Sequence, residues 1–213
     1  MVKTKMMEPP LPFDSKFGNQ IKEIYGTLPN ELGVLLGGIG GCSPYLYDLL
    51  IEHEDWLTKR LSTKNLDIIG EITTDLDNSS DLHKTLRISK SKIALWTAVC
   101  DLGGFWDLDK VMQTLTEFAD LALQRSMEFE FSNNSRFKKI VKVNKQIENS
   151  GWFVLAMGKM GAFELNYSSD IDLIFLFDES LYPDGMYNEV RMAFIRMSRS
   201  VNKLINCLLY TSP

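Results

Sequence analysis

Apolar positions fall into two textures along the chain. Up to about residue 150 they recur mostly at helical spacing, and from Gly151 onward they come in short unbroken runs. Ser43-Pro44 offers an N-cap followed by proline at the first helical position. It predicts a helix to about Lys59 with Leu46, Leu49, Leu50 and Leu57 on its apolar side. Asp81 to Cys100 predicts a second helix, stopped by Gly103-Gly104. Asp107 caps a third, in which Leu108, Val111, Met112, Leu115, Phe118, Ala119 and Ala122 share a face. Asp75 to Ser80 is turn chemistry, and Leu66-Asp67-Ile68-Ile69 fits either helix or strand. The proline-rich start, residues 1–40, reads as a loosely ordered lead with one short helix, Asn19 to Tyr25.

Trp152 to Met157 is an apolar run of strand length between glycines, and Ile171 to Phe177 is another. Both read as buried strands. Pro183-Asp184-Gly185 turns the chain into a long amphipathic helix bearing Val190, Ala193, Phe194, Met197, Val201, Leu204, Ile205 and Leu208 on one face. The expected organisation is therefore a lead over 1–40, a helical region over 41–150, and a strand-containing unit over 151–213.

Composition narrows the function classes. With 45% apolar and 11% aromatic residues the chain can build a core. Its net charge of −5 lacks the field that nonspecific nucleic-acid or anionic-membrane binding needs. No run of about 18 uninterrupted apolar residues occurs, so no membrane span is expected. The start Met1-Val2-Lys3-Thr4-Lys5 leads to prolines without an apolar segment, unlike a secretory signal. Cys42, Cys100 and Cys207 are odd in number and far apart, fitting neither a disulfide framework nor a zinc cluster. A reducing cytoplasm is the expected compartment.

The chemistry concentrates after Gly151. Asp170 and Asp172 flank Ile171, and on a strand two such residues share a face with α-carbons roughly 6.6 Å apart. Paired carboxylates at that spacing suit hard divalent cations. Ile171, Leu173, Phe175 and Phe177 would anchor the opposite face in a core. Upstream, Met157-Gly158-Lys159 ends the first strand, where a glycine lets backbone approach a phosphate and the lysine offers a point charge. Gly37-Gly38-Ile39-Gly40-Gly41 lacks the spacing, the strand and the downstream acid of a dinucleotide turn, and reads as a flexible entry loop. His53 reads as a solvated helix residue, Cys100 as core, Trp96 and Trp106 as core, and the basic run Arg136, Lys138, Lys139, Lys142 and Lys145 as a solvated segment.

Glycine, a short interval and then Asp-apolar-Asp-apolar resembles the signature of polymerase β-like nucleotidyltransferases. A longer block is more specific. Ala156-Met157-Gly158-Lys159-Met160-Gly161-Ala162-Phe163-Glu164-Leu165-Asn166-Tyr167-Ser168-Ser169-Asp170-Ile171-Asp172-Leu173-Ile174-Phe175 is similar to the signature of the glutamine synthetase adenylyltransferases, bifunctional bacterial enzymes. Ser43-Pro44-Tyr45-Leu46, Leu86-Arg87-Ile88 and Leu115-Thr116-Glu117-Phe118-Ala119-Asp120 resemble helical positions of the same family, so the likeness spans about residues 40 to 205.

The resemblance implies an α+β fold, a helical N-terminal region followed by a nucleotidyltransferase sheet with flanking helices. It implies Asp170 and Asp172 as catalytic metal ligands for Mg²⁺ or Mn²⁺, and Gly158, Lys159 and Ser169 as phosphate- or nucleotide-positioning residues. ATP, ADP and phosphate would be substrates or products. Glutamine synthetase would be the protein substrate and the PII signal protein a regulator, with no nucleic-acid or membrane partner. The helical stretch ahead of the signature resembles the N-terminal, adenylyl-removing half of the family. The family's third carboxylate, in an Arg-Val-Asp-type strand further on, has no counterpart here, so the chain reads as a fragment lacking activity of its own. The alternatives are another polymerase β-like nucleotidyltransferase acting on RNA or a small molecule, and an inactive piece that only binds a partner.

Overall fold

The computed structural model describes residues 6–63, 67–134 and 147–209. Among the described residues seven helices come first: α1 (Ser15–Ile24), α2 (Asn30–Cys42), α3 (Pro44–Glu52), α4 (Glu54–Ser62), α5 (Ile68–Asp77), α6 (Leu82–Leu102) and α7 (Leu108–Asn133). Then follow β1 (Trp152–Met157), a one-turn helix α8 (Gly158–Gly161), β2 (Asp172–Phe177) and α9 (Tyr187–Leu209). Helices before a small sheet give the α+β fold that the family resemblance implies.

Acidic and hydroxyl side chains set the helix starts. The side chains of Asp14, Ser43, Asp67, Asp81 and Asp107 each accept a hydrogen bond from a backbone N–H of the first turn they precede. Asp67 thereby resolves the ambiguous apolar stretch after it as helix α5. Asp75 to Asp77 end that helix, and the turn expected there is confined to the residues after it.

The described part of the lead is ordered rather than loose. α1 and α2 occupy most of it, and α2 runs straight through Gly37-Gly38-Ile39-Gly40-Gly41, which is buried helix and not an entry loop. Close approach explains the glycines. A Cβ on Gly38 would stand 2.1 Å from the Pro10 carbonyl oxygen, and one on Gly41 would stand 2.3 Å from Pro12 Cβ. Helix propensity is given up so that the proline segment can lie directly on α2.

The single helix expected from Ser43 to Lys59 breaks at His53 into α3 and α4. His53 is not solvated. It is 8% exposed, and its Nε2 lies 2.8 Å from Ser91 Oγ on α6. Trp96 and Cys100 are buried as expected, and Trp106 packs edge-on against Trp96.

Two apolar clusters organise the molecule. The first gathers α1 to α6 around residues such as Ile21, Leu36, Leu50, Ile72, Leu86 and Leu95. The second joins α7, the sheet and α9 through Leu123, Met127, Trp152, Phe194, Met197 and Val201. α7 contributes to both, through Phe118 and Ala122 to the first and Leu123 and Met127 to the second. The apolar face expected of α9 is buried from Val190 to Ile205, while the side chains of Cys207 and Leu208 fall outside the described residues. The basic run Arg136 to Lys145 also falls outside them.

β1 and β2 pair antiparallel, with Trp152 opposite Phe177 and Met157 opposite Asp172. Among the described residues, one face of this pair is packed. Val154, Ala156, Leu173, Phe175 and Phe177 turn toward the second cluster. Phe153, Leu155, Met157, Ile174 and Leu176 are exposed, so the strands are covered on one face only and not buried on both as their continuous apolar runs suggested.

Candidate active site

The register that puts Met157 opposite Asp172 brings the glycine turn to the start of β2. Gly158 adopts φ +57°, a left-handed conformation that glycine takes without strain. A Cβ built on it would lie 3.6 Å from Asp172 Oδ2, so the bare backbone of the turn sits beside that carboxylate. Thirteen residues of sequence lie between the two. The structure thus joins the glycine turn to one acid of the pair.

The turn continues as α8, whose buried Met160 pins it to the second cluster. Gly161 allows the helix to fold back on β1, because a Cβ there would meet the Ala156 carbonyl oxygen at 2.4 Å. Lys159 is exposed, and its carbonyl accepts the Glu164 N–H at 2.8 Å.

Asp172 is the first residue of β2, whereas Asp170 and Ile171 precede the strand. Both acids were expected on the strand itself, but ladder pairing with β1 ends at Met157–Asp172. The alternation of exposure nevertheless continues through them. Asp170 and Asp172 are exposed, and Ile171 between them packs against the second cluster.

A tight turn precedes the acids. Asn166 Oδ1 accepts from the Ser168 N–H at 3.1 Å and from the Ser169 hydroxyl at 2.8 Å. Asn166 N–H in turn donates to Ser169 Oγ at 2.9 Å. The Ser169 hydroxyl is thus engaged inside the turn that delivers Asp170. Asn-x-Ser-Ser is a recognisable Asx-type pattern, so this feature could have been read from the sequence. The Tyr167 hydroxyl reaches out of the turn and donates to Asp101 Oδ2 on α6 at 3.1 Å. Tyr167 is about half exposed, so partial desolvation, and then the Asp101 carboxylate, raise that phenol above its ordinary range. No local pattern signals a bond across so many residues.

The exposed carboxylate oxygens of Asp170 and Asp172 are hard donors of the type Mg²⁺ and Mn²⁺ prefer. Mg²⁺ in particular is commonly held by one or two protein carboxylates while it keeps several waters. The donor set present fits such an ion. Among the described residues no group of three or more candidate metal ligands occurs.

The sequence matches the family model for glutamate-ammonia ligase adenylyltransferase over residues 35–209. The chain belongs to this family. It is 33% identical over 180 residues to the bifunctional glutamine synthetase adenylyltransferase/adenylyl-removing enzyme of Bradyrhizobium sp. (strain BTAi1), which covers 80% of this chain and 18% of that relative. A protein of the same name from Rhodopseudomonas palustris (strain HaA2) is 33% identical over 197 residues, 87% of this chain and 20% of its own length. The Nitrosomonas eutropha protein of that name is 34% identical over 145 residues, 66% of this chain and 16% of its own. This member of the adenylyltransferase family therefore spans about a fifth or less of the curated relatives it matches. The family match begins within α2 and takes in the whole of the acidic turn. No helix among the described residues is long and apolar enough to cross a membrane.

Proposed function

We propose that this chain carries an adenylyl-transfer site acting on glutamine synthetase, and more narrowly the adenylyl-removing, phosphorolytic one. One observation carries the reading: Gly158, with no side chain, stands against the carboxylate of Asp172. Phosphate oxygens and a cation need that combination, an open backbone beside a hard anionic ligand. The family membership and the names of the relatives supply the substrate.

In this reading Asp170 and Asp172 hold Mg²⁺ or Mn²⁺. The ion supplies charge neutralisation on the nonbridging phosphoryl oxygens. Gly158 leaves room for those oxygens, and Lys159 adds a positive charge at the same turn. Ser169 acts on phosphate placement through the turn it closes with Asn166. Hydrogen phosphate attacks the phosphorus of the tyrosyl-AMP group, and the bond from phosphorus to the tyrosyl oxygen breaks. The attacking phosphate's proton accounts for the tyrosine hydroxyl, and ADP is the product. The reverse chemistry, with ATP as donor, belongs to the same class of site. The PII signal protein as regulator and the cytoplasm as compartment complete the proposal.

The test follows ADP release from adenylylated glutamine synthetase in the presence of phosphate and Mg²⁺. This chain alone is expected to release little, because two carboxylates give an incomplete shell for paired ions. A longer form carrying the family's third acid should release ADP readily and lose that activity in Asp172→Asn. Equal turnover with and without the third acid would contradict this account. Lys159→Ala should weaken phosphate binding in the longer form while changing stability by no more than about 0.5 kcal/mol. A large fall in Tm with phosphate binding intact would assign Lys159 to structure instead.

A further inference from the structure

The turn from Asn166 to Ser169 is closed on itself by the Asn166 side chain, which braces it locally. What sets that turn against the rest of the molecule is a separate matter. Asn166, Tyr167, Ser169 and Ile171 border a cavity of about 100 Å³ between α6, α7 and α9, with Ile93, Phe118 and Ile205 on its other walls. Packing therefore leaves this side of the turn underfilled. A hydrogen bond from the Tyr167 hydroxyl to Asp101 Oδ2 crosses from the turn to the helical region.

Asp101 stands in the last turn of α6, a turn without basic residues. An anion there opposes the helix dipole, so its own helix gives it no favourable charge setting. A donor from outside the helix accounts for it better.

We propose that Tyr167 is a positioning residue: through Asp101 on α6 it fixes the orientation of the Asn166–Ser169 turn, and with it Asp170 and Asp172. The link to chemistry rests on the metal reading under Proposed function, while the tether itself does not. Removal of the tether loosens the acids without touching either of them.

The experiment uses this chain with Tyr167→Phe, Asp101→Ala, Asp101→Asn and the double variant Tyr167→Phe/Asp101→Ala. Hydrogen exchange is followed by mass spectrometry over residues 165–172, and Mn²⁺ affinity by calorimetry. Tyr167→Phe and Asp101→Ala should each speed exchange in that segment about tenfold, with α7 unchanged. Each should weaken Mn²⁺ binding by ~3-fold or more, and the double variant should be no worse than either single one. Asp101→Asn keeps an acceptor oxygen and should behave like the parent. Unchanged exchange in Tyr167→Phe, or additive losses in the double variant, would overturn the tether. Faster exchange with unaltered Mn²⁺ affinity would overturn its positioning role. Mn²⁺ affinity that ignores Asp172→Asn would instead sink the metal reading and leave the exchange rates to decide the tether.

Discussion

His53 sits at the joint of α3 and α4 with its ring against Ser91, and burial lowers its pKa from the ordinary imidazole value. Nearby Lys92 acts in the same direction, and Glu52 opposes them. In the unfolded chain the ring takes up a proton near pH 6.5, whereas in the folded chain it does so only at lower pH. Between those values the unfolded state binds more protons, so stability rises with pH. The contribution is fully present above about pH 6.5 and is lost as pH falls through the folded-state value. Thermal melts from pH 7.5 to 5.5 should show a falling Tm, with a shallower slope in His53→Gln. Identical slopes for the two proteins would remove His53 from this account. A solvated histidine was the natural expectation for Glu52-His53-Glu54-Asp55, since three acidic neighbours suggest a wet face. The partner that buries it comes from α6, 38 residues away.

At the scale of elements, α2 shows how packing overrides propensity. Its glycines each weaken a helix by about 1 kcal/mol relative to alanine. Gly38 and Gly41 are nevertheless required by the chain lying against them, while Gly33 meets nothing within 4 Å among the described residues. Gly33→Ala should therefore raise stability by up to about 1 kcal/mol. Gly38→Ala should lower it by about 1–3 kcal/mol, because a backbone oxygen must move. Urea unfolding checks both, and equal effects would refute the close-approach explanation. The capped helices were legible because Ser43, Asp81 and Asp107 are local signals that act within their own first turn. The order of β1, the glycine turn and β2 was legible for the same reason. The glycine run of α2 misled because its cause, Pro10 and Pro12 lying across it, is not local. The two strands looked buried because Phe153, Leu155, Ile174 and Leu176 are as apolar as the residues that face the core. Composition does not say which face a partner covers.

For the whole molecule, α7 and α9 hold the small sheet to the helical region, and the acidic turn lies where these parts meet. Asp170, Asp172, Gly158, Lys159 and Ser169 were all named from the sequence block, and Gly158 and Asp172 do come together. The tether from Tyr167 to Asp101 was beyond sequence reasoning, since only the folded chain brings α6 to the turn. The central claim is that the two aspartates form a divalent-cation site. It is tested most directly by calorimetric titration of Mn²⁺ into this chain and into Asp170→Asn and Asp172→Asn. Each substitution keeps the side chain's size and removes its charge, so affinity should fall at least about tenfold, ~1.4 kcal/mol, with the fold intact. Unchanged Mn²⁺ affinity in both variants would contradict the claim.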